Sequence, residues 1–240
     1  MSALKLVIFD MDGTLMDSQE HILALMRRAF DTAGYATPSK ADVLSTVGLS
    51  LEEAFKILLP ELNEAKNRQM VGLYREGSNT LRARPEAEIK AQLYAGARTA
   101  LERLHKIDEV LLGVATGKSR RGLDGVYKSH NIGHFFHTSQ TADTHPSKPH
   151  PSMLHQTLKD TGVEAAQAVM VGDTEFDMEM GRAAGFKTIG VSWGYHPVSR
   201  LGAADIIIDN FADLDDQIFS KHLLEINDKL FVQRRCFSLF

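Results

Sequence analysis

The chain has 240 residues, of which 43% are hydrophobic and 24% charged, and its formal net charge is -4. This composition excludes a disordered chain, and the length suits a core domain with a smaller companion. The negative charge disfavours a nucleic-acid binder, and the single cysteine, Cys236, excludes both an intrachain disulfide and a cysteine-based zinc site. No segment resembles a signal peptide or a membrane span, so we expect a cytoplasmic protein with no membrane partner.

The first element is the apolar run Leu6-Val7-Ile8-Phe9, which predicts a strand buried on both faces. Asp10, Asp12 and Gly13 follow it directly. Open α/β sheets bind ligands at the carboxyl ends of their strands, and two carboxylates spaced two residues apart can approach one substrate oxygen or metal ion. The pattern favours a phosphoryl-transfer site over its alternative, an acidic turn without function.

Residues 16–90 predict an all-helical domain inserted after this strand. Apolar residues recur at helical spacing over 22–30, behind a helix start at Asp17 or Ser18. Further helical patterns continue to about residue 84 without a convincing strand. The mixed-charge segment 82–85 is expected to lead the chain back to the first domain.

From residue 94 onward strands and helices alternate, which predicts a parallel sheet that also includes the first strand. The predicted strands are 110–115, 135–136, 168–171, 188–191 and 206–208. The predicted helices are 97–104, 123–127, 153–158, 178–184 and 212–226. The expected fold class is α/β, a doubly wound parallel sheet formed by residues 1–15 and 91–240 with the helical domain inserted.

Two later segments carry groups suited to phosphate. The Thr116 hydroxyl and the Gly117 amide precede a helix start and can donate to phosphate oxygens, although Thr116 can equally cap that helix. Lys148 lies in a proline-stiffened loop, where it either neutralises a carboxylate nucleophile and a phosphate or is an ordinary solvated lysine.

Asp173 and Asp177 follow another predicted strand and repeat the opening pattern. Carboxylate oxygens of this kind are the ligands that Mg²⁺ prefers, and the ion takes only one or two carboxylates alongside water and phosphate. Asp177 has two alternative roles: it can cap the following helix or support a ligand from behind.

In their order along the chain, four groups of residues resemble the four motifs of the haloacid dehalogenase superfamily: Asp10 with Asp12, Thr116 with Gly117, Lys148, and Asp173 with Asp177. The helical insert resembles the cap domain of the phosphoglycolate phosphatase-like branch. The resemblance implies that Asp10 is a nucleophile that forms an aspartyl-phosphate and that Asp12 is the acid and base. It further implies that Thr116, with Gly117, binds the transferred phosphoryl group and that Lys148 orients Asp10 and the phosphate.

The resemblance also implies a cofactor. Mg²⁺ would be held by Asp10, by the backbone carbonyl of Asp12 and by Asp173, with Asp177 as a ligand or as support behind the ligands. The carboxyl group of Asp12 distinguishes a phosphatase from a dehalogenase, because a halide leaves without a proton.

The expected function is a Mg²⁺-dependent phosphatase that hydrolyses a small phosphorylated metabolite, with phosphoglycolate as the leading candidate. A sugar-phosphate mutase and a non-catalytic interaction protein are the alternatives, and the oligomeric state is left open. The cations of the insert offer partners for a substrate carboxylate, although most of them are expected to be ordinary solvated helix charges. The candidates are Lys40, Lys56, Lys66, Arg68, Arg75, Arg82 and Arg84.

Three further features have weaker interpretations. A metal site at His130, His134 and His137 is disfavoured, because no acidic or cysteine partner is spaced with them. The segment 193–197 either flanks the mouth of the site or packs as an aromatic clasp over the sheet edge. The aromatic tail 231–240 packs on the core, mediates a dimer or is disordered, and the sequence does not decide among these.

Overall fold

A computed structural model describes residues 4–82 and 91–219. Its strands are β1 Lys5–Phe9, β2 Met16–Asp17, β3 Gln92–Leu93, β4 Val110–Thr116, β5 Thr138–Thr141, β6 Ala168–Gly172, β7 Lys187–Val191 and β8 Ile206–Ile208. Its helices are α1 Gln19–Ala33, α2 Lys40–Ser45, α3 Leu51–Leu58, α4 Glu64–Arg82, α5 Ala97–His105, α6 Arg120–His130, α7 Ser152–Thr161, α8 Glu175–Ala183 and α9 Leu214–Ile218.

Six of the strands form one parallel sheet in the order β5-β4-β1-β6-β7-β8. The first strand of the chain lies near the centre of this sheet, where Phe9 is paired with Val114 on one side and with Val171 on the other. The predicted fold class is therefore confirmed. The register also brings the carboxyl ends of β1, β4 and β6 to the same edge of the sheet, which is where their polar residues lie.

Both faces of the sheet are covered, as expected of a parallel sheet. Successive side chains of β1 point to opposite faces: Val7 and Phe9 pack into one hydrophobic cluster, and Leu6 and Ile8 pack into another. Helices α5, α6 and α9 contribute to the first cluster, and α7 and α8 to the second. This burial explains why β1 is apolar at every position from Leu6 to Phe9.

The insert is helical, as predicted, and has a hydrophobic core of its own. Helices α1, α3 and α4 meet there, with the rings of Phe30 and Phe55 at a centroid distance of 6.0 Å. Gly34 ends α1 in a left-handed conformation with φ of 76°. Within the described residues, no helix is both long enough and apolar enough to span a membrane.

The structure differs from the predicted elements in three places. Phe135 lies in a 3₁₀ turn, Gly133–Phe135, and the strand is β5, which is mostly polar and gave no apolar signal. The last helix of the described part is the five-residue α9, and residues 220–226 of the predicted helix lie outside that part. The antiparallel pair β2–β3, at the two crossings into the insert, was not predicted because each strand has only two residues.

Two predicted features cannot be compared with the structure. Residues 83–85 of the return segment and the tail 231–240 lie outside the described residues, as does Cys236. The domain boundaries at residues 15/16 and 90/91 remain a prediction.

Candidate active site

Asp10 follows β1 directly and lies buried at the edge of the sheet, with 1% of its surface exposed. Its backbone amide donates to the Val171 carbonyl over 2.9 Å, which continues the β1–β6 ladder to the site. Oδ1 accepts from Lys148 Nζ at 2.7 Å, whereas Oδ2 is buried with no hydrogen-bond partner among the described residues. A buried carboxylate oxygen without a partner is costly, so Oδ2 is suited to contact a bound ligand.

Gly13 is required by the turn that follows the two aspartates. Its φ is +87°, a conformation that L side chains rarely adopt. A Cβ at this position would also lie 2.2 Å from Asp173 Oδ2. The glycine therefore permits both the sharp turn and the close approach of the third aspartate.

Lys148 is a buried cation, not a solvated surface lysine. Its Nζ donates to Asp10 Oδ1 at 2.7 Å and to Asp177 Oδ1 at 2.6 Å, and its side chain is fully buried. Burial lowers the pKa of Lys148, but the two carboxylates outweigh that effect and raise it above its ordinary value. The ammonium group therefore remains protonated between two carboxylates.

Asp10, Asp173 and Asp177 form a cluster in which each residue offers one carboxylate oxygen, and these oxygens lie within 4.8 Å of one another. Burial is the largest cause that raises the pKa of Asp10 to about 7, with further contributions from Asp177 and Asp12 and opposition from Lys148. Burial, followed by repulsion from Asp177 and Asp10, also raises the pKa of Asp173. Three carboxylates with one lysine provide the hard oxygen ligands and the excess negative charge that suit a divalent cation.

Neighbouring groups hold the two later aspartates in place. Asp173 accepts from the Thr14 hydroxyl at 2.8 Å and from the Tyr195 amide at 2.9 Å. Asp177 takes part in a capping box at the start of α8: its Oδ2 accepts from the backbone amide of Thr174 at 3.1 Å and from the Thr174 hydroxyl at 2.7 Å. Because its Oδ1 accepts from Lys148, both oxygens of Asp177 already have protein donors.

The Asp12 carboxylate is not part of this cluster and has donors of its own. Lys118 Nζ donates to both of its oxygens at 2.6 Å, and Ser18 Oγ donates to Oδ1. Burial alone would raise the pKa of Asp12, but the charge of Lys118 and these hydrogen bonds outweigh burial and lower it. Asp12 and Asp10 therefore have pKa values that are shifted in opposite directions.

Thr116 and Gly117 lie at the end of β4, beneath a loop of the insert. Thr116 is buried, and its Oγ1 accepts from the Lys118 amide at 3.2 Å, while Ser119 caps α6 by accepting from the Gly122 amide. A Cβ on Gly117 would lie 2.4 Å from the Leu49 carbonyl oxygen. The glycine therefore lets the insert approach the base of the site closely.

A cavity of about 1650 Å³ opens above these residues, between the sheet and the insert. Asp10, Asp12 and Thr116 line its base. The insert contributes His21, Tyr74, Arg75, Ser78 and Asn79, and α6 contributes Arg121 and Ser129.

The predicted cations of the insert are distributed unevenly around this cavity. Arg75 lines it and forms ion pairs with Glu52 at 3.4 Å and with Asp143 at 3.6 Å. Lys40, Lys56, Lys66 and Arg68 are exposed and do not line it. The side chain of Arg82 and the whole of Arg84 lie outside the described part.

The structure resolves two of the weaker interpretations. Among the described residues, the acidic cluster is the group with metal-ligand spacing, and His134 and His137 instead pack around His105. The segment 193–197 has both of its proposed roles. Trp193 packs against Phe211, with ring centroids 4.6 Å apart, and the Tyr195 amide donates to Asp173 in the carboxylate cluster.

Several contacts at the site were not predicted from sequence. Ser18 was interpreted as a helix cap, yet its hydroxyl donates to Asp12 and makes no capping bond. Lys118 was not among the predicted site residues, although its position two residues after Thr116 was a usable signal. Thr14 gave none, because its contact with Asp173 spans 159 residues. The segment 193–197 was expected to flank the mouth of the site, but the bond from the Tyr195 amide to Asp173 was not predicted.

Comparison with known proteins agrees with this geometry. The haloacid dehalogenase-like hydrolase family matches residues 7–191. The chain is 33% identical over 218 residues to the probable phosphatase IndB of Dickeya dadantii, covering 87% of this chain and 91% of that protein. It is 31% identical to the pyrophosphatase PpaX of Bacillus velezensis, with 87% and 93% coverage, and 29% identical to the phosphoglycolate phosphatase of Vibrio cholerae, with 89% and 96% coverage.

Solved structures share the architecture. A haloacid dehalogenase-like family hydrolase from Streptococcus pneumoniae superposes with a TM-score of 0.76 at 25% identity, over 90% of this chain and 99% of that one. An equivalent hydrolase from Bacteroides fragilis, at 23% identity, superposes with a TM-score of 0.79 over 88% and 99% of the two chains and supports the fold alone. By its sequence match over residues 7–191, this chain belongs to the haloacid dehalogenase-like hydrolase family.

Proposed function

We propose that this protein is a Mg²⁺-dependent phosphatase that hydrolyses a small phosphomonoester through a phosphorylated Asp10. The observation that carries the proposal is the state of the Asp10 carboxylate at the base of the cavity. Oδ1 is fixed by Lys148, while Oδ2 is buried without a partner among the described residues. The names of the relatives, a probable phosphatase, a pyrophosphatase and a phosphoglycolate phosphatase, support the same reaction class.

The first step transfers the phosphoryl group to the protein. The Asp10 carboxylate attacks phosphorus, a bond from Asp10 to phosphorus forms, and the bond from phosphorus to the leaving oxygen breaks. Asp12 gives its proton to that oxygen. The first step therefore needs Asp12 protonated, and an approaching phosphate favours this form because nearby negative charge raises a carboxyl pKa.

The second step regenerates the enzyme. Asp12, now ionised, takes a proton from water, the water oxygen attacks phosphorus, and the bond to Asp10 breaks to release inorganic phosphate. The ion pair with Lys118 favours the ionised form that this step requires. Asp12 thus ends the cycle protonated again, with a proton taken from water.

Lys148, Thr116 and Gly117 are assigned to binding the phosphoryl group. Lys148 neutralises Asp10 and the incoming oxygens, which otherwise repel each other. The Thr116 hydroxyl and the Gly117 amide lie at the base of the cavity, ahead of the α6 start, where they can donate to phosphate oxygens.

Asp10 and Asp173 are assigned to Mg²⁺, together with the backbone carbonyl of Asp12. The shared cluster of carboxylates fits such an ion. Asp177 is assigned to a supporting role, because both of its oxygens already accept from Lys148 and Thr174. When bound, the cation supplies neutralising charge for the transferring phosphoryl group.

The substrate is proposed to be a small phosphoester whose leaving group carries a negative charge, as in phosphoglycolate. The core is proposed to span residues 1–15 and 91–240, and the cap residues 16–90. The residues assigned to the transferred phosphate all belong to the core, so the cap must discriminate among leaving groups. Arg75 is the insert cation that lines the cavity among those with described side chains, and Arg121 faces it from the core.

A panel of phosphorylated metabolites tests this function directly. Purified protein with Mg²⁺ should release inorganic phosphate from carboxylated phosphoesters faster than from neutral ones. Arg75→Gln should raise KM for phosphoglycolate and change p-nitrophenyl phosphate hydrolysis little. Arg68→Gln is the matched control, because Arg68 is an exposed arginine on the same helix. A panel led by nucleotides or sugar phosphates would overturn the substrate assignment, and a panel with no hydrolysis would overturn the function.

Acid quenching during turnover tests the intermediate. A phosphorylated peptide that contains Asp10 should be recovered by mass spectrometry. The sugar-phosphate mutase alternative predicts phosphoryl return to the sugar with little phosphate release, so the panel separates it from the phosphatase.

A further inference from the structure

The segment that follows β7 joins two parts of the site that carry different chemistry. The Tyr195 amide donates to Asp173 Oδ2 at 2.9 Å, on the side of the carboxylate cluster. The Tyr195 hydroxyl accepts from the Ser18 amide at 2.7 Å, on the side of Asp12. One residue of the core is therefore bonded both to a proposed metal ligand and to the point where the chain enters the insert.

Gly194 permits this close approach. A Cβ at residue 194 would lie 2.0 Å from Asp173 Cβ and 2.5 Å from Asp173 Oδ2. Real Cβ atoms do not approach other atoms so closely, so a side chain here would displace Asp173 or the segment. The absence of a side chain at Gly194 lets the backbone of Tyr195 lie against Asp173.

Ser18 connects Tyr195 to Asp12. Ser18 is 2% exposed and precedes α1, where a serine ordinarily caps the helix with its side chain. Here the hydroxyl makes no capping bond and donates to Asp12 Oδ1 instead. The direction of that hydroxyl depends on the position of the Ser18 backbone, and the Tyr195 phenol is bonded to that backbone.

We propose that Tyr195 is a positioning residue which, by accepting the Ser18 amide, holds the Ser18 hydroxyl on Asp12 and so directs the Asp12 carboxyl toward the leaving group. This inference rests on the proposed function, because it assumes that Asp12 protonates the leaving oxygen. The chain of contacts runs from Tyr195 Oη to Ser18 N and from Ser18 Oγ to Asp12 Oδ1. Burial is the main cause that raises the pKa of Tyr195, so the phenol remains neutral in this role.

The contact with Lys118 does not make this chain redundant. Lys118 Nζ bonds to both oxygens of Asp12 and so neutralises the carboxylate. A flexible lysine is a point charge and orients a carboxyl group weakly. Ser18 bonds to Oδ1 alone and thus distinguishes the two oxygens, which a general acid requires.

Tyr195→Phe tests the proposal, because it removes the hydroxyl and keeps the ring and the backbone amide that bonds to Asp173. Two substrates are compared: p-nitrophenyl phosphate and the alkyl phosphate that the wild-type protein hydrolyses fastest in the metabolite panel. A whole general acid contributes about 10²–10⁴-fold, so a misdirected one should lower kcat on the alkyl phosphate about 10-fold or more. The loss on p-nitrophenyl phosphate should be far smaller, since its leaving group needs little protonation.

Two further variants make the test specific. Ser18→Ala should change the ratio of the two rates in the same direction, and the double variant should add little, because both changes break one chain of contacts. Tyr127→Phe is the matched control. It removes a hydroxyl that bonds to Ser139 Oγ at 2.7 Å, away from Asp12, and should leave the ratio unchanged.

The outcomes separate this inference from the proposed function. In Tyr195→Phe, an equal loss on both substrates, or no loss on either, would overturn the positioning role while wild-type turnover still supports the phosphatase. Turnover that survives in Asp10→Asn would instead overturn the phosphatase mechanism. A shift of the ratio in Tyr195→Phe and Ser18→Ala but not in Tyr127→Phe would support the inference.

Discussion

Replacing Asp10 with asparagine should abolish turnover and also stabilise the protein when no metal ion is bound. Burial raises the pKa of Asp10 from 3.8 to about 7, so the ionised carboxylate is disfavoured in the folded state. Each pKa unit corresponds to about 1.4 kcal/mol, so the charge costs the folded protein up to about 4 kcal/mol above pH 7. Asparagine keeps the volume and an oxygen that can accept from Lys148, and it removes that charge.

The sign of the pH dependence follows from the direction of the shift. A carboxyl whose pKa is raised on folding contributes stability that is fully present below its unfolded pKa of 3.8 and is lost as the pH rises through about 7. The stabilisation by Asp10→Asn should therefore be largest near pH 8 and shrink toward pH 5. At about pH 8 we expect about 2–4 kcal/mol, or roughly 5–15 °C in Tm for a chain of this size.

Thermal unfolding followed by circular dichroism, with chelator present, measures this effect. Asp31→Asn is the control, because Asp31 is an exposed carboxylate on α1, and it should shift Tm little. Mg²⁺ should raise the Tm of the wild type more than that of Asp10→Asn, since binding to the folded state stabilises it. A Tm in chelator near pH 8 that is unchanged or lower in Asp10→Asn would refute the reasoning about the buried charge.

Three other outcomes are expected. Asp12→Asn should lower kcat on an alkyl phosphate much more than on p-nitrophenyl phosphate, by up to about 10²–10⁴-fold, and equal losses would argue against its role as acid. Chelator should abolish activity and Mg²⁺ restore it, while Ca²⁺ should inhibit because its larger coordination number draws in further oxygens; full activity in chelator would contradict the metal assignment. Gly117→Ala should raise KM and lower kcat, because its Cβ would displace the Leu49 carbonyl and the cap above it. Wild-type kinetics in Gly117→Ala would show that the close approach of the insert to Gly117 does not affect catalysis.

The residues at strand ends were predictable because their placement follows from local rules. An apolar run marks a buried strand, parallel strands share one carboxyl edge, and Asp10, Thr116 and Asp173 each follow such a run. No knowledge of the pairing order was needed to expect these residues at one edge. The helical insert was predictable for the same reason, since its apolar spacing is a local periodic signal.

The errors arose where the local signal was weak or misleading. The apolar pair Phe135 and Phe136 imitated a strand, whereas β5 is polar and edge-placed, so tertiary pairing with β4 determined its conformation. The sequence does not predict that, among the insert cations with described side chains, Arg75 lines the cavity. Which cation faces the cavity depends on how α4 is rotated against α1, and the packing of these helices determines that rotation.

The fold class, the family, and the carboxylates and lysine of the site were predictable from the amino-acid sequence, because each depends on a periodic pattern or on a motif of a few residues. The pairing of Lys118 with Asp12 across 106 positions and the bond between Tyr195 and Ser18 across 177 depend instead on how the folded chain packs. These contacts join the end of β1, the start of the insert and the loop after β7, and no local sequence pattern predicts them. The physical reason is that a hydrogen bond depends on distances of about 3 Å, which the packing of the whole sheet and cap sets.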